Sequence, residues 1–441
     1  MTRLRRISST TFHSLRIRNY RLYFTGQIIS VSGTWMQSIG QAWLVVHYLA
    51  PRNQAGLDLG ITTALQFLPM LLLGAWGGLV ADRLDKRRLL FATQAGGATL
   101  ALTLGLLVLL GGGPVGAARL WEVYLLALLL GFVNLIDNPA RQTFVIEMVG
   151  REDLPNAVSL NSIVMNGARV IGPALGGLLI ATLGRRGHGG LAACFLLNAG
   201  SYLAVIVALA MMRRSELERS EVVPRAAGQL REGLRYAWRT PRIRDPLILV
   251  FVVGLLAYNF TVILPLLAQE TFHGGAGAFS ALTSLMAGGA VVGGLVIANR
   301  GGPNLRRLSI LGVGFGLAIA GLALSPDFPA ALVLIVPMGA LSISFIATAN
   351  ATIQLGVDPG MRGRVMALYA IGFLGTAPIG APLVGWISQA SSPRVALLIG
   401  ATATVLASTA ILVRHIHDRA GEDRPGEAPE AAVPGTELGV A

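Results

Sequence analysis

The chain has 441 residues, of which 53% are hydrophobic and 13% charged, and it carries a formal net charge of +13. A soluble chain of this length holds roughly a quarter of its residues as charges and splits into two or three domains, so the composition argues against a soluble enzyme or a nucleic-acid-binding protein. The apolar residues fall instead into recurrent runs of about 20, each able to cross a hydrocarbon core of ~30 Å, and the chain reads as an all-α, multi-pass membrane protein embedded in a lipid bilayer.

Residues 1–19 form a basic tail without the apolar core or cleavage site of a signal peptide. The first span, about 20–49, contains Gln27, Trp35, Gln37, Gln41 and Trp43; amides are costly against lipid and point to neighbouring helices or an aqueous cavity. The second, 57–81, carries Gln66 and leads into Gly78-Leu79-Val80-Ala81-Asp82-Arg83-Leu84-Asp85-Lys86-Arg87-Arg88-Leu89-Leu90, a turn crowded with charge. The third, 89–110, stops at Gly111-Gly112-Gly113-Pro114, a turn signal. The fourth, 120–141, holds Asn134 and ends in Asp137-Asn138-Pro139-Ala140-Arg141-Gln142. The fifth, 156–183, contains Arg169 and Gly172-Pro173-Ala174-Leu175-Gly176-Gly177, and the sixth, 191–212, closes a first half covering 20–212.

Residues 213–244 are a polar, arginine-rich linker in which 229–239 has the pattern of a surface helix. Spans at 246–270 (with Tyr258 and Asn259), 278–299, 306–325, 329–356, 364–389 and 393–413 make a second half, 245–413. The tail, 414–441, has a composition rich in Pro, Gly and Ala that favours disorder. Three elements recur at nearly constant offset. Gly77-Gly78 returns as Gly293-Gly294, Asn138 and Gln142 as Asn350 and Gln354, and Gly172-Pro173-x-x-Gly176 as Ala381-Pro382-x-x-Gly385. Repetition in the same order predicts twelve transmembrane helices in two pseudo-symmetric six-helix halves.

Of the 35 basic residues, Arg52, Arg119, Arg185, Arg186 and Arg394 fall on one side, Arg169 falls inside a span, and all the others fall on the opposite side. That bias puts both termini in the cytoplasm. Cys194 is the single cysteine, so no internal disulfide can form, and the chain has no GxxxxGKS, HExxH or CxxC pattern. No enzymatic activity, cofactor or metal site is expected.

The sequence from Gly78 to Arg88 resembles the loop between the second and third helices of the major facilitator superfamily, with Val80 and Asp85 departing from the pattern. Asp85 stands where a glycine would ease a positive φ. The resemblance implies a latch that holds the cytoplasmic side closed: Asp82 caps a helix of the other half, and Arg83 or Arg87 pairs with an acid at the end of the fourth helix, where Asp137 stands. Asp137 is equally open to being a proton site or a helix-end charge bonded to Arg141. Gly172, Pro173, Gly176 and Gly177 resemble the fifth-helix motif of drug–proton antiporters.

Arg169 is the only base read inside a span. It is either a clamp on Asn or backbone carbonyls or a contact to an anion or substrate in a cavity; the superfamily's usual fourth-helix arginine is missing, and Arg169 is placed to take its role. Gln37, Gln41, Gln66, Asn134 and Asn259 are further cavity candidates. Asn19-Tyr20-Arg21-Leu22-Tyr23, Gly33-Thr34-Trp35-Met36-Gln37 and Asp153-Leu154-Pro155-Asn156-Ala157 are similar to the bacterial branch containing enterobactin exporters and macrolide efflux proteins. That resemblance implies a monomeric bacterial plasma-membrane exporter of a siderophore, drug or other small amphipathic molecule, with protons as the coupling ion. An importer, an uncoupled facilitator or a lipid flippase are the alternatives.

Overall fold

The structure is a computed structural model that describes residues 13–110, 118–183, 188–218, 229–298, 302–358 and 360–422. The side chain of Asp82, most of the N-terminal tail and the end of the C-terminal tail lie outside the described residues. The first half is α1 (Arg18–Trp43, prolonged by a π-helical turn, Leu44–Leu49), α2 (Ala55–Arg83), α3 (Lys86–Leu109), α4 (Leu120–Val149), α5 (Leu154–Leu183) and α6 (Gly189–Met211). The second is α7 (Pro241–Thr271), α8 (Ala276–Ala298), α9 (Leu305–Ala323), α10 (Phe328–Gly356), α11 (Arg362–Ala390) and α12 (Pro393–Glu422). Among the described residues eleven helices are apolar and long enough to cross a membrane. The twelfth, α1, matches them in length and is less apolar because it carries Gln27, Gln37 and Gln41.

The halves repeat the same packing. The pairs α2–α4 and α3–α6 in the first half correspond to α8–α10 and α9–α12 in the second. Close approach is achieved by glycines at matching places: Gly77 lies against the Leu135 carbonyl and Gly293 against the Ala340 carbonyl, so a methyl at either position meets backbone. Leu72, Leu178, Val333 and Leu406 point outward and are more than half exposed, the arrangement expected of a surface solvated by lipid.

The two halves meet along α2–α11 and α5–α8. Contact runs from the face bearing the α1–α2 turn, here the far face, to Leu71 against Gly375 just past mid-height. Beyond that level the first part of α11, Arg362–Phe373, packs on α7 and on the linker helix (Gln229–Arg239) of its own half. The linker helix is pinned there by Glu232 to Arg364 at 2.7 Å and by the Tyr236 hydroxyl donating to Asp358 at 2.9 Å.

Two expectations change. The α2–α3 turn contains no positive φ: Asp85 has φ −60° and caps α3, its carboxylate accepting from the Arg88 N–H at 3.0 Å. The aspartate thus supplies an acceptor that a glycine would lack. The fourth helix does not stop at residue 141 but continues to Val149 through Pro139, so Arg169 is not the only base within a spanning helix. Arg141 lies in α4 and turns inward.

Candidate functional site

Between the halves, at mid-height, lies a cavity of about 330 Å³. Its first-half wall is built from α1 (Trp35, Gln37, Gln41), α2 (Thr62, Thr63, Gln66, Phe67), Arg169 of α5, and Asn198 and Tyr202 of α6; α7 and α8 contribute Tyr258, Phe260, Thr261, Phe279 and Thr283. This volume falls in the range of small-molecule sites, which are mostly apolar with a few converging polar groups. The spacing of Gln37 and Gln41, four residues apart on α1, puts both on one helical face. Gln37 is fixed by another wall residue, because its Oε1 accepts from Asn198 Nδ2 at 2.7 Å.

Arg169 stands half-way along α5, and its guanidinium lies over the Trp35 indole at 4.9 Å from the ring centroid. These residues come together because Gly172 lets α5 sit on α1, its Cα facing the Ser32 carbonyl and the Trp35 Cβ. A charge at this depth is costly against lipid; Arg169 avoids that by facing the cavity, where it stays partly exposed, and by a ring contact worth on the order of 0.5–2 kcal/mol. Arg169 Nε is buried without a hydrogen-bond partner, and the cavity wall contains no Asp or Glu among the described residues.

The α7 helix is interrupted at this level. Its first part runs Pro241–Val252 and a π-helical turn Val253–Ala257, Tyr258 and Asn259 leave the helical path, and the helix resumes at Phe260. Asn259 Nδ2 donates to the Leu255 carbonyl at 2.9 Å, satisfying one of the acceptors that the interruption frees. Asn259 therefore serves the break and lies outside the main cavity, while Tyr258 faces into it. Asn134 does not line the cavity either. Gln37, Gln41, Gln66 and Arg169 are the sequence candidates that the fold brings together.

The α2–α3 corner is organised differently from the motif's implied pairing. Arg83 is exposed and Gly78 buried. Arg87 donates to the Leu209 and Ala210 carbonyls at the end of α6, at 2.8 and 3.2 Å, and stacks on Phe91. Lys86 pairs with Glu147 at 2.8 Å, both nine-tenths buried. Asp137 accepts from Thr93 at 2.6 Å and from Gln94 at 2.8 Å, and forms an ion pair with Arg141, which also donates to Gln27. In this conformation Asp137 thus faces Arg141 rather than Arg83 or Arg87. The α5 motif lies at two seams: Gly172 and Gly176 pack on α1 at Ser32–Met36, and Gly177 packs on Ser280 of α8. The Ser280 hydroxyl donates to the Pro173 carbonyl. Its repeat in α11 does the same across the pseudo-axis, with Gly385 against Gly56 and Ala381 against Gly60 of α2.

Three residues stand out that sequence reasoning passed over. Asp58, in the first turn of α2, is buried; Tyr124 donates to its Oδ1 at 2.8 Å, and Oδ2 has no partner among the described residues. Asn198 and Tyr202 were visible as polar residues four apart on α6.

The family model described as Transmembrane secretion effector matches residues 9–434. The chain is 25% identical to the staphyloferrin A transporter of Staphylococcus aureus over 82% of its length and 88% of that protein. It is 27% identical to the multidrug efflux pump Tap of Mycolicibacterium fortuitum (83% and 88%) and 23% identical to the enterobactin exporter EntS of Salmonella choleraesuis (89% and 91%). In fold it is similar to a bacterial homologue of the lysosomal transporter Spinster, solved inward-facing and unoccupied, with a TM-score of 0.67 at 15% identity over 90% of this chain and 95% of that one. The chain belongs to the Transmembrane secretion effector family, and is a multi-pass transporter of the major facilitator superfamily.

Proposed function

We propose that the protein is a secondary active exporter of small amphipathic molecules in a bacterial plasma membrane. The observation that carries this reading is the mid-height cavity, whose described lining has one cation, several amides and an aromatic wall and which lies between two halves whose contacts among the described residues run from the far face to about mid-height. The relatives named for siderophore and drug export support the direction and the substrate size. Transport proceeds by alternating access: residues 20–212 and 245–413 rock about the cavity as one monomer. The face bearing the α2–α3 turn is cytoplasmic, on the bias of basic residues, which makes the conformation described here open inward.

Under this reading Gly78, Asp82, Arg83, Arg87 and Asp137 act together only when the cytoplasmic face closes. Exchange of Arg141 for Arg83 or Arg87 at Asp137 is then the latching step. Proton antiport is supported by the antiporter-like run Gly172, Pro173, Gly176 and Gly177; uncoupled facilitation is supported by a cavity wall without a carboxylate among the described residues. Everted vesicles containing the protein, loaded against a proton gradient with and without a protonophore, decide between them. Uptake of a siderophore or drug that vanishes with the gradient is the expected result; uptake indifferent to the gradient overturns antiport.

A further inference from the structure

We infer that the cavity is built for substrates bearing an anionic oxyacid group, a carboxylate or a phosphate, on an apolar body. The inference rests on the cavity being the transport site and names its substrate class. Arg169 holds a fixed positive charge in the wall and meets no acid there. A guanidinium serving only as a clamp would be bonded to carbonyls or amides of its neighbours. Arg169 instead makes one ring contact, with Trp35, and its Nε is buried with no partner among the described residues.

The Trp35 contact anchors the guanidinium in the cavity wall, and a guanidinium carries paired N–H donors that suit two oxygens of one anion. An amide of the same cavity adds to this. Gln37 has its carbonyl oxygen engaged by Asn198, so its NH2 is the group left for a ligand. A further donor in a cavity that holds a cation favours an anion over an ammonium group, which would meet repulsion from Arg169 with no carboxylate among the described lining residues to offset it. Phe67, Phe260, Leu264, Phe279 and Met286 line the same cavity and offer a surface for a ring or chain. The wall therefore combines one charge contact with apolar contacts.

The test uses the full chain in lipid nanodiscs and four probes sharing one ring system: 1-naphthoate, 1-naphthyl phosphate, neutral 1-naphthamide and cationic 1-naphthylmethylammonium. Equilibrium dialysis, corrected with empty nanodiscs, gives the affinities. At least one of the two anions is expected to bind about tenfold or more tightly than the amide, and the ammonium most weakly; comparing carboxylate with phosphate identifies the headgroup. Arg169→Gln is expected to erase the preference of the anions over the naphthamide, and Arg169→Lys to keep part of it. The inference is overturned if the amide or the ammonium binds as tightly as the anions, if none of the probes binds, or if Arg169→Gln retains the preference. The wild-type panel decides even if the glutamine variant fails to fold. Tight ammonium binding would leave the exporter reading standing with another substrate class, whereas that reading itself stands or falls on the vesicle experiment.

Discussion

Ser280 of α8 donates its hydroxyl to the carbonyl of Pro173 on α5, and the same side chain fills the space over Gly177 one turn further along. One serine thus ties the second half to the proline-glycine run of the first. The contact is reproduced on the other side of the molecule by Gly385 and Gly56. From these seams and from the polar groups around them, specific outcomes are expected.

Gly177→Ala puts a methyl group where Ser280 already sits. Overpacking of this kind costs roughly 1–3 kcal/mol, and it falls on the far-face-sealed arrangement. Spin labels at the far ends of α5 and α8 should report a longer distance in the variant, and the double substitution with Ser280→Gly should restore it. An unchanged distance would mean that the seam does not govern the separation of the halves.

Asp137 and Arg141 form an ion pair with the carboxylate almost fully buried and the guanidinium 23% exposed. Removing one partner of a buried pair costs about 3–5 kcal/mol, less where a side chain reaches solvent. Asp137→Asn and Arg141→Gln should each lower thermal stability in detergent. The double variant should lose less than the sum of the two; strict additivity would argue against a coupled pair.

Gln37 and Gln41 share a face and both line the cavity, but Gln37 also holds Asn198. Gln37→Ala leaves Asn198 without its acceptor, so it should reduce stability by roughly 1–3 kcal/mol. Gln41→Ala, by contrast, should leave the melting temperature unchanged and alter ligand affinity. Thermal melts and dialysis on the same samples separate the two effects.

Tyr124→Phe would leave Asp58 with neither oxygen hydrogen-bonded among the described residues. The expected cost is about 1–3 kcal/mol, relieved when Asp58→Leu is added. A variant that melts normally but has lost transport would instead assign the Asp58–Tyr124 pair to the transport cycle.

Asp82→Asn should impair vesicle transport while the protein remains inserted at wild-type level. Normal transport in that variant would reduce the charged α2–α3 turn to a topological signal.

The twelve helices and the two-fold repeat were legible because a bilayer imposes a length on every span and because small-residue patterns recur. The end of α4 was not. Pro139 and Arg141 look like loop residues, yet a proline inside a long membrane helix is tolerated when neighbouring groups take up what it frees, and Arg141 is held by Asp137 and Gln27. The position of Asp85 was correctly marked as unusual, while its role as a cap depended on an N–H three residues ahead. The pairing of Arg169 with Trp35 depends on α5 crossing α1 at Gly172, and no local pattern connects residues so distant in sequence. Asn259 was singled out for its polarity and turned out to serve a break in α7 that its own sequence does not announce.

The far-face seams set Gly56, Gly60 and Gly385 against backbone, and few side chains cross them: Ser280 over Gly177, Ser284 on the Val170 carbonyl, and Gln389 on the Leu57 N–H. Surfaces with few rotatable bonds have little side-chain freedom to regain or lose when they separate. Under the alternating-access reading, interconversion of the two orientations is then mainly an exchange of contact area. A cargo that prefers one orientation tenfold shifts the populations by about 1.4 kcal/mol, so even a loosely held molecule can set the direction in which the protein swings.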